Sequence, residues 1–327
     1  MAYTTIDDPS AYFQTDLYTG DGSTTQAQTF DGNSDMQPNM VWIKERSEAR
    51  SHVLFDSVRG VTVQLNANDT ASDATVSDSL KVFGSDGYSV GPNNSTGKNT
   101  ETYVAWAWKE SATAGFDIVS FTGSGSQRTV AHNLGVKPSM IWVKNRDETE
   151  NWIVYDKVNG ADNFMSLNLT AGTAASSSMF NVEPTTSVFT VNSSNASNKS
   201  SSAMIAYCFA NIKGYSKVGS YQGSGNANGP FIYLGFKPAF LMVKLSSGTD
   251  DWQILDNKRS PHNIVGGYLR PNASGATVDN DVIDFTSNGF KLRTSAGSWN
   301  PNNGTFVYMA FAENPLVTST GIPVTAR

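Results

Sequence analysis

Short runs of apolar, β-branched and aromatic residues alternate along this chain with clusters of Gly, Ser, Asn and Asp, and helical spacing is never sustained. Ile118-Val119-Ser120-Phe121 and Met140-Ile141-Trp142-Val143-Lys144 read as strands. Ser85-Asp86-Gly87, Ser287-Asn288-Gly289 and Asn302-Asn303-Gly304 read as the turns between strands. The pattern predicts an all-β chain of β-sandwich, jelly-roll-like modules.

The pattern repeats. Met40-Val41-Trp42-Ile43-Lys44, Met140-Ile141-Trp142-Val143-Lys144 and Phe240-Leu241-Met242-Val243-Lys244 lie in one register, 100 residues apart. Pro38, Pro138 and Pro238 precede them by two positions, and Asp56, Asp156 and Asp256 follow the lysines Lys44, Lys144 and Lys244 by twelve. Upstream, Gly20-Asp21-Gly22, Gly123-Ser124-Gly125 and Gly223-Ser224-Gly225 read as hairpin entries. Downstream come Leu65, Leu167 and Leu269, and each copy closes on an apolar strand (Tyr103–Trp106, Met204–Tyr207, Tyr308–Phe311). Three tandem modules of about 100 residues follow: residues 1–112 with an N-terminal arm, 113–213, and 214–327. Short linkers at 111–115 and near Lys213-Gly214 leave either a rod or a pseudo-threefold cluster.

Residues found in all three copies are first explained by the fold that all three must build. Lys44, Lys144 and Lys244 are expected to pair across a hairpin with Asp56, Asp156 and Asp256, and Trp42, Trp142, Trp152 and Trp252 to lie in the core. Trp299, on the polar stretch Ser298–Gly304 of the third copy alone, joins Arg270 and Arg293 as the candidate ligand-binding patch.

Charge narrows the partners. With 23 basic and 29 acidic residues and a net charge of −6, no basic cluster is available for nucleic acid. The longest apolar run, Ala203–Ala210, is too short to insert in a membrane. Met1–Asp8 carries neither the basic nor the apolar region of a secretion signal, so assembly in a cytoplasm is expected. Cys208 is the only cysteine and is expected in the core. His52, His132 and His262 have no ligand spacing, so neither metal nor cofactor is implied. Asp31-Gly32-Asn33-Ser34-Asp35 begins like a calcium loop, yet has Met36 where glycine belongs and reads as an Asx-rich turn. No nucleophile elbow or phosphate loop is present, and no catalytic residue is assigned. Asp250, Asp251, Asp279, Asp281 and Asp284 are the carboxylates that a polysaccharide hydrolase would need to bring together.

Several segments resemble a repeat found in structural proteins of tailed bacteriophages, those of marine phages and cyanophages in particular. They are Tyr3–Phe13, Val41–Ser47, Leu54–Gly60 and Tyr103–Lys109. The resemblance is strongest over residues 1–110. It loosens in the third copy, where Met242 replaces the strand tryptophan and Arg259-Ser260 the Arg-Gly turn. It implies a non-enzymatic virion component, most often a tail fibre or receptor-binding protein, assembled in the bacterial host cytoplasm. Such a protein would bind other virion proteins, through residues 1–12 in this chain, form a homo-oligomer with a trimer favoured, and contact a host surface glycan. A capsid decoration or cement protein is the alternative, and a polysaccharide-acting hydrolase the second.

Overall fold

The computed structural model describes residues 2–324. Apart from a 3-10 turn at Pro9–Ala11 and one helical turn at Asn195–Asn198, its regular elements are antiparallel strands, so the chain is all-β as its alternation predicts.

One strand order recurs along the sequence. Phe13–Thr19 pairs with Thr102–Trp108, which pairs with Met40–Glu45, and Val53–Asp56, Val63–Asn66 and Ala74–Thr75 complete the sheet. Phe116–Thr122, Ala203–Ala210, Pro138–Asn145, Ile153–Asp156, Asn163–Ser166 and Ala174–Ala175 follow the same order. So do Ser216–Gln222, Thr305–Pro315, Phe236–Leu245 and Gln253–Asp256. A smaller sheet accompanies each: Gln26–Gln28 with Gly87–Val90 and Leu80–Gly84, then Arg128–Ala131 with Val188–Val191. The third is Phe231–Tyr233 with Gly289–Leu292, Val278–Thr286 and Val265–Tyr268.

The strands Met40–Glu45 and Pro138–Asn145 are buried at every position, which explains why they read as continuous apolar runs rather than alternating ones. Their two faces meet different cores. Val41 and Ile43 pack with Leu80, Tyr88 and Val90 of the first small sheet, and Ile141 and Val143 with Phe189 and Val191 of the second. Met40, Trp42, Met140 and Trp142 instead enter one cluster that also contains Phe240, Met242 and Phe311. At its centre, Trp108, Phe209 and Phe311 form a closed triangle with ring centroids 6.5, 6.1 and 5.8 Å apart. These three residues stand opposite Met40, Met140 and Phe240 in the three registers, so the triangle is built from one position used three times.

The seams close the ring. Asp73 N donates to Arg146 O (2.8 Å), Thr173 N to Ser246 O (2.8 Å) and Thr277 N to Arg46 O (3.1 Å), so each repeat bonds the next and the third bonds the first. Indoles add to two seams, Trp152 Nε1 donating to Asn66 O (2.7 Å) and Trp252 Nε1 to Ser166 O (2.9 Å). At the third seam the same position is His52, whose Nδ1 accepts from Trp42 Nε1 (3.0 Å), leaving the proton on Nε2. That Nε2 faces the Arg270 backbone without a well-formed hydrogen bond, and burial pushes the imidazole well below its usual pKa. Of the two arrangements that the short linkers allow, the chain adopts the cyclic one around a common aromatic core.

The three aspartates lie beside this core. Asp56 and Asp256 pair with Arg59 (2.5 Å) and Arg259 (2.6 Å) and accept from a neighbouring repeat, Tyr207 Oη to Asp56 (2.6 Å) and Trp106 Nε1 to Asp256 (3.0 Å). Asp156 faces Asn159 instead (2.8 Å), and burial without a cation raises its pKa. The expected Lys–Asp cross-strand pairs do not form, because Asp56, Asp156 and Asp256 stand opposite Met40, Met140 and Phe240, four residues from the lysines. Lys44, Lys144 and Lys244 are fully buried and donate to backbone carbonyls. Lys144 reaches Thr70 O (3.1 Å) and Lys244 reaches Thr170 O (2.9 Å), each in the preceding repeat. Burial lowers all three ammonium pKa values to about 8.

Pro38, Pro138 and Pro238 are buried at the starts of these strands, with a register shift beside Pro138 and Pro238. The Gly-x-Gly segments are crossings between sheets rather than hairpin entries, since the strands on either side of Gly20–Gly22 belong to different sheets. Two constraints explain both glycines. Gly22, Gly125 and Gly225 have φ of +70°, +71° and +66°, and a Cβ on Gly20, Gly123 or Gly223 would lie 2.0–2.2 Å from a backbone oxygen. Leu65 and Leu269 stand opposite Leu54 and Ile254, but Met165 rather than Leu167 stands opposite Val154.

The N-terminal arm is folded against the third repeat. Ile6 is buried, Tyr3 Oη donates to Gly235 O (2.7 Å), and Asp7 accepts from Ser319 N (2.6 Å). Deleting residues 2–12 is therefore expected to lower stability by about 2–3 kcal/mol through Ile6 alone. An unchanged thermal midpoint would show that the arm is not part of the body.

Candidate functional site

Trp299, expected on a solvated loop, is 1% exposed. Its ring packs edge-on against Tyr268 at 5.4 Å, and its carbonyl accepts from Tyr221 Oη (2.9 Å). The tryptophan occurs in the third copy alone, but its position recurs. Tyr18 Oη bonds Thr96 O just as Tyr221 Oη bonds Trp299 O, so Trp299 fills the place of Thr96. A polar, Asn- and Gly-rich stretch reads as an exposed loop, but here its one large ring is buried against Tyr268. No sugar could stack on it. Arg270 lies 3.2 Å from Asp251 and over the Tyr268 ring, and Arg293 lies 3.4 Å from Asp284; both are about 40% exposed. The three residues do not form a binding surface around the indole.

The carboxylates weighed for hydrolysis are largely engaged: Asp251 with Arg270 and Asn272, Asp284 with Arg293, and Asp250 with the Asp251 backbone. Asp279 and Asp281 line a shallow depression with Ser260, Gly266 and Gly267. Glu110, outside this set, lies beside Asp117. Burial and the adjacent Asp117 carboxyl raise the Glu110 pKa to about 7. The pair sits where the chain passes from the first repeat to the second. At the next passage the equivalent residue is Asn211, whose amide accepts from Val218 N (2.7 Å) and donates to Val218 O (3.2 Å). A protonated Glu110 can imitate that amide, which makes the perturbation structural. A carboxyl with a raised folded-state pKa stabilises fully below its unfolded value near 4.5 and loses that contribution as pH rises through about 7. Glu110→Gln is expected to raise the melting temperature at pH 8 and leave it unchanged at pH 4. An equal change at both pH values would contradict this.

His52 and Cys208 are fully buried, with the thiol pKa pushed up by burial; His132 sits near Thr185 O (3.3 Å) and His262 is exposed. Among the described residues, no three His, Cys, Asp or Glu side chains converge as metal ligands.

A cavity follows from how the ring closes. The first two seams are crossed by the chain itself, with bridges Ser111–Phe116 and Ile212–Ser216 tightening each passage. The seam between the third and first repeats has no such connection, and a cleft of about 510 Å³ opens there. Its first-repeat wall is Asp8, Ser10, Gln14, Asp31 and Asn33, and its third-repeat wall includes Lys237, Asn257, Lys258, Asn263 and Glu313. Phe13 and Phe285 contribute to the floor. Lys258 bridges to Asp31 (2.6 Å), and Lys237 pairs with Glu313 (2.8 Å).

The Asx-rich turn Asp31–Asp35 forms one lip. Gln14 accepts from Gly32 N (2.9 Å), Ser10 Oγ accepts from Asn33 N (3.0 Å), and Ser34 Oγ donates to Asp8 (2.5 Å). The volume is within the range of small-molecule sites, and the lining is polar and near neutral in charge. Sequence reading singled out the Asp31–Asp35 turn and residues 1–12 but no cleft, because the cleft depends on which repeats become neighbours. The one available signal was the segment before Phe13, which has no counterpart in the other copies.

A family model described as Domain of unknown function (DUF7483) matches residues 8–315. That match spans all three repeats as a single unit, in keeping with their common core. No curated protein matches the chain.

Proposed function

Because the chain belongs to this DUF7483 family, whose description assigns no activity, we propose that it is a non-enzymatic structural component of a tailed-phage particle, a tail fibre or receptor-binding part exposed on the surface. The observation that carries the reading is the closed ring. One chain supplies a threefold body, with each seam hydrogen-bonded and one aromatic triangle on its axis. A body held this way is suited to bearing load and presenting a fixed surface, and the segments named above resemble repeats of phage structural proteins. The ring supports reading the protein as a trimer-like monomer in place of the homotrimer expected from the sequence. Light scattering should return 35.2 kDa, and three times that mass would restore a true trimer.

The ring also favours a second reading, a decoration protein seated at a threefold or local threefold position of a capsid lattice. The tail reading has its own support in asymmetry: among the described residues, the two exposed aromatic side chains, Phe231 and Tyr233, both lie in the third repeat. Electron cryo-microscopy of intact particles separates the two. Density on the tail would support the first reading and density across the lattice the second. Absence from the particle would overturn both and return attention to hydrolysis.

A further inference from the structure

The edge strand Phe231–Tyr233 projects two aromatic rings from one face, since residues two apart on a strand share a side about 7 Å from each other. Phe231 is 48% exposed and Tyr233 49%. Aromatic area left this open is uncommon on a soluble surface unless a partner covers it. Four cations surround the pair. Lys217 Nζ lies 5.6 Å from the Tyr233 ring centre and donates to Tyr233 O (2.6 Å). Lys213 Nζ lies 4.5 Å from the ring of Tyr3, whose hydroxyl is 3.3 Å from that of Tyr233. Lys291 stands opposite Phe231 in the strand register. Lys157 of the second repeat is near enough to Lys217 to lower its pKa, behind the larger effect of burial.

Among the described residues these four lysines have no carboxylate partner within 4 Å. A chain of net charge −6 thus gathers unpaired positive charge around its most exposed rings.

We infer that the face formed by Tyr3, Phe231, Tyr233, Lys213, Lys217 and Lys291 binds an acidic polysaccharide, one whose sugar rings stack on the aromatics while its carboxylates meet the lysines. This rests on the receptor-binding reading and names its ligand class. Two stacking positions and a few cations match a polymer with one charge per sugar. A nucleic acid adds a denser run of phosphates that the acidic remainder of the chain would repel.

The test is retention of the full-length protein on immobilised polygalacturonate, with dextran as the uncharged control and single-stranded DNA as the competing polyanion. The wild type should bind polygalacturonate, more weakly as salt rises, and should not bind dextran. The double variant F231A/Y233A should lose about ten-fold or more in affinity, with an unchanged melting temperature because both rings are half in solvent. A second variant, K213Q/K291Q, should weaken binding and flatten its salt dependence. No retention, equal retention of the F231A/Y233A variant, or equal binding to dextran or DNA would overturn the inference. Failure here, with the protein located on the tail, removes the ligand and leaves the tail reading. Binding by a protein found on the capsid lattice removes the tail reading and leaves the site.

Discussion

Asp56→Asn should cost about 3–5 kcal/mol of stability, while Asp156→Asn, the same change at the equivalent position of the next repeat, should cost almost nothing at pH 7. Both aspartates are buried, so the contrast comes from their partners. Asp56 neutralises Arg59, which is itself fully buried, and accepts the Tyr207 hydroxyl across a seam. With asparagine there, Arg59 retains only Asp73 (3.2 Å) and the carbonyls of Val63 and Leu54 (both 3.0 Å), and a guanidinium is left in the core without its close counter-charge. Asp156 has no cation to abandon. Its partners are the Val158 and Asn159 amides and the Asn159 side chain, all of which an asparagine can meet once Asn159 turns its amide.

The pH dependence carries a sign. Asp156 has a raised pKa when folded, so its contribution is present at low pH and is lost as pH rises through that value. Asp156→Asn should therefore look better relative to wild type at pH 7 than at pH 3. Chemical denaturation of both variants at the two pH values checks this, and equal losses at pH 7 would contradict the assignment of roles.

Trp108→Ala should cost about 3–5 kcal/mol and should loosen all three repeats at once. Trp108 touches Phe13 (5.0 Å), Phe209 (6.5 Å), Phe240 (5.7 Å) and Phe311 (5.8 Å), so three of its four ring neighbours belong to other repeats. A cavity at this point borders the closing strand of each copy. Hydrogen exchange should quicken in Thr102–Trp108, Ala203–Ala210 and Thr305–Pro315 together. Tyr88 offers the comparison. It lies in the core private to the first repeat, and Tyr88→Ala should quicken exchange mainly in the first repeat. Confinement of the Trp108 effect to the first repeat would show that the triangle is contact without coupling.

Much of this was legible in the residues. The 100-residue register located the central strands, and less regular spacings the closing strands and the Gly-x-Gly segments, because backbone demands such as a positive φ or a Cβ clash recur wherever the fold recurs. The arrangement of the copies was not legible. A strand apolar on both faces, such as Met40–Glu45, gives no sign of which face meets its own small sheet and which meets its neighbours. The lysines misled for a related reason. A charged residue ending an apolar run suggests a surface pair, whereas Lys144 is buried because carbonyls of two repeats converge on its ammonium. Trp299 failed because polarity of neighbours is a weak guide to burial when one ring of a polar stretch packs inward, here on Tyr268. The cleft and the aromatic face arise from neighbours more than 200 residues apart in sequence, Asp31 with Lys258 and Tyr3 with Tyr233, which no local pattern records.

Differential scanning calorimetry of the intact chain tests the common core most directly. Three repeats sharing one aromatic centre and three bonded seams should unfold in one cooperative transition, with calorimetric and van't Hoff enthalpies equal. Two or three resolved transitions, each with the enthalpy of about 100 residues, would mean that the repeats are independent domains and would contradict the account.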